Sequence, residues 1–246
     1  MGLVRNFYRT TVGKKVVMAV TGLILVLFVI GHMGGNLKFF AGIDAATGTH
    51  KLDHYAAFLR TMGSELFGHA GVLWMVRVGL LVAVLLHVVS AVQLSRLSMA
   101  ARPRSYAVQS FRSATPASRS MRYGGMFLFV FIILHILHFT TGTIHYQGFE
   151  HGRVFANLMS GFQPWYVPML YVIAMAALAL HLYHGVWSMF QTMGVTSPAW
   201  NNGARCIAKI VAVILFVGFS SVPLAAHFGL VEGDNTPTAM AAIVER

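Results

Sequence analysis

Residues 166–192 read YVPMLYVIAMAALALHLYHGVWSMFQT, with no Asp, Glu, Lys or Arg and with histidines at 181 and 184. As a helix rising 1.5 Å per residue the stretch is about 40 Å long, enough to cross a hydrocarbon layer about 30 Å thick. Four further stretches meet the same test, at 16–37, 71–95, 123–146 and 206–230. The sequence therefore predicts an all-α membrane protein with five transmembrane helices. Residues 1–246 form one domain, because connections of about 20 to 30 residues are too short to build a second core. A composition 57% hydrophobic and 10% charged agrees, and no internal repeat is evident.

The first stretch follows Arg5, Arg9, Lys14 and Lys15, as a signal peptide would. It is too long for one, and Asn36, Lys38 and Phe39 follow it in place of a small-residue cleavage site, so it is read as a helix. The lone Cys206 excludes an intrachain disulfide and a cysteine-ligated cluster within the chain.

A net charge of +11 raises nucleic acid as a partner, but the basic residues are sorted by loop rather than gathered on one face. Arg5, Arg9, Lys14, Lys15, Arg96, Arg102, Arg104, Arg112, Arg119, Arg122, Arg205 and Lys209 fall on one side of a five-helix chain, twelve of the eighteen. Lys38, Lys51, Arg60, Arg153 and Arg246 fall on the other, with every acid: Asp44, Asp53, Glu65, Glu150, Glu232, Asp234 and Glu245. Lys and Arg mark cytoplasmic loops, so the N-terminus is expected inside and the C-terminus outside. Docking of a soluble partner or anionic lipid is a lesser reading of the Arg-rich segment 96–122.

Ionisable residues in membrane helices are costly and point to function. His32 is on the first helix, His87 on the second, His135 and His138 on the third, His181 and His184 on the fourth, and His227 near the end of the fifth. Depth sorts them. His32 is about 16 residues, roughly 24 Å, above the inner end of its helix, and His135 about 12 residues, roughly 18 Å, above the inner end of its own. His87 and His181 lie about 15 or 16 residues below the outer ends of theirs. This pairs His32 with His135 in the outer half and His87 with His181 in the inner half, as two bis-histidine haems require. Ala83, Ala91, Ala177 and Gly185, on the faces of the inner pair, leave room for a flat macrocycle. The outer pair has Phe28 and Phe131 four residues earlier. Because 135/138 and 181/184 are both HxxH pairs, the member that binds stays open at this point, as does a non-haem metal site between the third and fourth helices.

Taken in order, GHMGGN at 31–36, the region around His87, RYGGMFLFVFIILH at 122–135 and HLYHGVW at 181–187 resemble a family. It is the cytochrome b membrane-anchor subunit of succinate:quinone oxidoreductases and fumarate reductases, in its single-subunit, five-helix, dihaem form. The resemblance spans nearly the whole chain. It implies His32, His87, His135 and His181 as axial ligands of two haem b, first helix with third and second with fourth. His138 and His184 then become candidates for hydrogen bonds to propionates or ligands, and Asn36 and Arg77 join them as candidates for propionate contact.

Two axial imidazoles leave iron no open site, so such a haem carries electrons. The resemblance implies a flavoprotein and an iron–sulfur subunit on the cytoplasmic side, a multi-pass place in the cytoplasmic membrane, and electron flow through the inner and outer haems to quinone, with menaquinone favoured. Quinone candidates near the outer haem are Asp53, His54, Glu65 and Trp74; Arg77 ranks higher for propionates than for quinone. Some family members carry a helix-four glutamate two residues before the ligand. This chain has Ala179 there, which argues against a carboxylate proton path. The alternatives are a cytochrome b subunit of another quinone-linked dehydrogenase, of hydrogenase or formate dehydrogenase type, and a histidine-rich non-haem metal protein.

Overall fold

The computed structural model describes residues 2–101, 116–195 and 197–232. Most of the described residues are helical: α1 (Gly2–Arg9), α2 (Thr11–Asn36), α3 (Lys51–Thr61), α4 (Ser64–Phe67), α5 (Gly71–Ala100), α6 (Pro116–Phe139), α7 (Val154–Gly161), α8 (Tyr166–Thr192) and α9 (Pro198–His227). Among them, five helices are long and apolar enough to cross a membrane: 11–40, 71–100, 120–139, 166–192 and 200–227. Their large apolar side chains are widely exposed, Leu27, Leu81 and Val217 among them, as a bundle surrounded by lipid requires.

Local chemistry sets the ends. Thr10 accepts a hydrogen bond from the Gly13 amide at 2.9 Å and starts α2 five residues before the apolar run. Ser197 caps α9, with Pro198 in its first turn, so this helix begins well ahead of the expected 206. Helix α6, which carries the third span, runs 24 residues but stops at Phe139 rather than near 146. Gly142 has φ +72°, and the amides of Thr140 and Thr141 both turn back to the Ile136 carbonyl, so the chain leaves the helix there.

Helix α2 packs on α5 and α8, α6 packs on α8, and α9 covers α8 and α2. Trp187 of α8 donates its indole hydrogen to Asn201 of α9 at 2.9 Å, and Arg205 lies over the Trp187 ring. One end of the bundle, the stem, carries α1, which turns back so that the Tyr8 hydroxyl meets Ser90 of α5 at 3.3 Å. The other end, the cap, is closed by α3 and α7. Its core joins Phe39, Leu52, Phe155 and Phe162 to Phe131, Tyr171 and Val222 of the long helices. Asp53 fastens the two cap helices, accepting from the Phe155 amide at 2.9 Å at the start of α7. Among the described residues every acid lies in cap-end segments; Asp234, Glu245, Arg246, Arg102, Arg104, Arg112 and the side chains of Arg5 and Arg119 lie outside them.

Candidate haem-binding site

Four half-buried histidines face each other in two pairs. The His32 and His135 ring centres are 5.9 Å apart with planes at 80°, and those of His87 and His181 are 6.3 Å apart at 59°. No hydrogen bond joins either pair among the described residues. Two metal–nitrogen bonds of about 2 Å each, with about 1 Å more from each nitrogen to its ring centre, put an axial histidine pair about 6 Å apart. Both pairs have that spacing. A metal shared by two imidazoles would offset the cost of taking their nitrogens out of water.

The surrounding backbone leaves room for something flat. Helices α2 and α6 carry facing rings but hardly touch each other, and the same is true of α5 and α8. Gly22 of α2 lies against the stem-end pair, where a Cβ would come within 3.4 Å of Cε1 of His87. Gly125 of α6 does the same on the other side, 3.5 Å from Cε1 of His181. Each glycine precedes the cap-end histidine of its own helix by ten residues, so both helices place the two layers about 15 Å apart.

The two layers hold their rings differently. At the stem end, His87 uses Nδ1 toward the Met18 carbonyl at 3.2 Å, with the Thr21 hydroxyl at 3.4 Å. Nδ1 of His181 is buried and has no hydrogen-bond partner among the described residues. At the cap end, Nδ1 of His135 meets the Tyr171 hydroxyl at 3.3 Å, while Phe28 stacks on His32 and Phe131 on His135. Nε2 of His87 and of His135 has no hydrogen-bond partner among the described residues, which is the atom a metal needs.

Geometry separates the members of each HxxH pair. His138 points its Nδ1 at Tyr171, 3.0 Å away, and packs its ring on Phe139 and beside His145 rather than against His32. His184 lies edge-on to Trp187, away from His87. His227, the seventh membrane histidine, bonds the Phe162 carbonyl at 3.1 Å. No three His, Cys, Asp or Glu side chains among the described residues gather as a metal-ion site would need, which weighs against a shared site for 135, 138, 181 and 184.

The cap-end candidates disperse. Asp53 caps α7, His54 holds the 41–50 loop through the Thr47 and Thr49 hydroxyls at 2.6 Å each, and Glu65 is exposed on α4. Asp44, in the same loop, accepts from the Ala46 and Thr47 amides, and the first of these bonds leads in holding its carboxyl below the usual range. Asn36 turns back onto the His32 carbonyl at 2.9 Å, along the helix that carries this ring. Trp74 is exposed beneath the Arg77 guanidinium, 5.0 Å from its centre. Arg77 alone of these residues lines a cleft of about 470 Å³ between α3, α5 and the end of α6. Arg60, His69 and His151 line it too, and the sequence reading had not singled them out for a site. The cleft has no acid in its wall, and its two guanidiniums, Arg60 and Arg77, suit an anion.

Comparison with family profiles, with curated proteins and with solved structures returns no match to this chain.

Proposed function

We propose that the chain is the dihaem cytochrome b membrane anchor of a succinate dehydrogenase or fumarate reductase, passing electrons between an iron–sulfur partner and membrane quinone. The observation that carries this reading is the double coincidence of the histidines: two pairs, each near 6 Å between ring centres, about 15 Å apart along the bundle. His32 and His135 would hold one haem b and His87 and His181 the other. A haem held this way supplies reversible one-electron transfer, its axial positions being closed to oxygen.

The chain's own residues orient and shield these groups. The Met18 carbonyl and the Tyr171 hydroxyl fix two of the four rings, and Phe28, Phe131 and Phe219 keep water from the cap-end pair. Arg77 and Arg60, which have no carboxylate partner among the described residues, suit the carboxylates of haem propionates. The cleft they line would serve quinone exchange near the cap-end haem; Asp53, His54, Glu65 and Trp74 are not in its wall. By the positive-inside rule the stem faces the cytoplasm and receives the flavoprotein and iron–sulfur subunits, and the cap faces outward across the cytoplasmic membrane. The choice of succinate and fumarate, and of menaquinone, rests on the sequence resemblance.

A reduced-minus-oxidised optical spectrum of the purified chain tests the haem reading. Two b-type haems per chain are expected; none would overturn it, and one would show that one pair is wrong. Co-purification with a flavoprotein and haem reduction by succinate test the partner. A hydrogenase or formate dehydrogenase partner in its place would assign the same haems to the alternative enzyme.

A further inference from the structure

We infer that Tyr171 is a positioning residue that tunes the cap-end haem, its hydroxyl accepting a hydrogen bond from His135 while donating one to His138. The inference rests on the proposed ligation by His32 and His135 and concerns what lies behind it.

Tyr171 is 9% exposed and locked among aromatic rings, with Phe131 at 5.0 Å and Phe162 at 4.9 Å between ring centres. It precedes His181 by ten residues on α8, which raises it about 15 Å from the stem-end layer into the cap-end one. Its hydroxyl stands between two ring nitrogens of the same kind, Nδ1 of His135 at 3.3 Å and Nδ1 of His138 at 3.0 Å. A phenol has one hydrogen to donate and lone pairs to accept with, so it can donate to only one of them.

Metal ligation at Nε2 of His135 decides the arrangement. That ring must then carry its hydrogen on Nδ1 and donate it to the Tyr171 oxygen. The phenol hydrogen is left for Nδ1 of His138, which accepts, so His138 is the tautomer protonated on Nε2. His138 is held for this role by close packing. A Cβ on Gly161 would fall 3.0 Å from its Nε2, 2.9 Å from Nε2 of His145 and 2.8 Å from Phe139, and only glycine lets the three rings converge. His145 is fixed in turn, donating from Nε2 to the Asn157 carbonyl at 2.9 Å.

An acceptor behind a ligating imidazole makes the ring more basic and favours the oxidised metal. A phenol that is itself donating is a better acceptor than an idle one, so His138 strengthens the effect. The chain thus holds the cap-end haem at a lower potential than the same two histidines would give alone.

The test is a redox titration of the full-length, haem-loaded chain, read optically and by the low-spin electron paramagnetic resonance signals, with the cap-end haem identified as the one lost in His135→Ala. In Tyr171→Phe both haems should remain, the cap-end midpoint should move upward and its resonance signal should shift, while the stem-end haem keeps both values. His138→Leu should move the cap-end midpoint in the same direction by less, and His138→Asn, which keeps an acceptor near the Nδ1 position, should restore it. Two retained haems with both midpoints unchanged in Tyr171→Phe, or both moved alike, would overturn the inference. A wild-type chain with no b-type haem would instead overturn the ligation on which it rests.

Discussion

The stem-end and cap-end histidine pairs have nearly the same ring separation and quite different support. At the stem, the ring of His87 is tied to a main-chain carbonyl, and glycines on α2 and α6 press against the pair. At the cap, the ring of His135 is tied to a side-chain hydroxyl inside a cluster of aromatic rings, under a lid built from α3 and α7. A main-chain partner cannot be exchanged without rebuilding a helix, whereas a side chain can be replaced at one codon. The fold thus fixes the stem site and leaves the cap site adjustable.

The largest expected effect tests whether there are two sites at all. His87→Ala and His181→Ala should each remove the same haem, and His32→Ala and His135→Ala the other, so that each single variant keeps about half the b-type absorbance. Loss of different haems within one pair would break the pairing. His184→Ala should keep both, because its ring lies against Trp187 rather than His87.

A smaller effect is expected from the glycines. Gly125→Val adds three carbons where even a Cβ is 3.5 Å from the His181 ring, an overpacking that typically costs about 1–3 kcal/mol. Because helix α6 also carries His135 ten residues on, the comparison is internal to one helix. The variant should lose or weaken the stem-end haem and keep the cap-end one, read from the two resonance signals. Equal loss of both would mean that the layers are not independent.

How far the sequence could be read follows from the same geometry. Helical rise converts residue number into depth, so the four facing histidines could be sorted from the sequence and meet as expected. The same arithmetic would have found Tyr171, ten residues before His181 and therefore level with His135, but a tyrosine in an apolar helix carries no mark of its partner. The cap was less legible. Arg60, His69 and His151 come together from three separate segments, and no periodicity links them. Asp53 reads as a quinone candidate in a loop, yet its carboxylate is used across 102 residues to start α7. The third span ends seven residues early because 140–146, TTGTIHY, is polar apart from Ile144 and Tyr146 and turns at Gly142.

The cleft supplies a third test. Arg60→Gln and Arg77→Gln remove positive charge from a wall that holds no acid, so both should lower the cap-end midpoint if propionates lie there, opposite in sign to Tyr171→Phe. The two substitutions should act additively with Tyr171→Phe, since guanidinium and phenol reach different parts of the same group. The stem-end midpoint should stay within error in all of them.

The smallest effect is expected at Thr21. Thr21, like Tyr171, sets a hydroxyl beside Nδ1 of a proposed ligand, 3.4 Å from His87, and by proximity alone the two residues would rank together. Their other bonds differ. The Thr21 hydroxyl donates to the Val17 carbonyl at 2.7 Å within its own helix, and the Met18 carbonyl, 3.2 Å from the same Nδ1, is the nearer acceptor for the imidazole hydrogen. Thr21→Val keeps the shape, removes the hydroxyl and leaves Met18 in place, so both haems and the stem-end midpoint should be unchanged. A stem-end shift as large as the cap-end shift in Tyr171→Phe would show that a side chain governs this layer too. The contrast between a fixed site and an adjustable one would then fail at its main-chain end, even with every ligand correctly assigned.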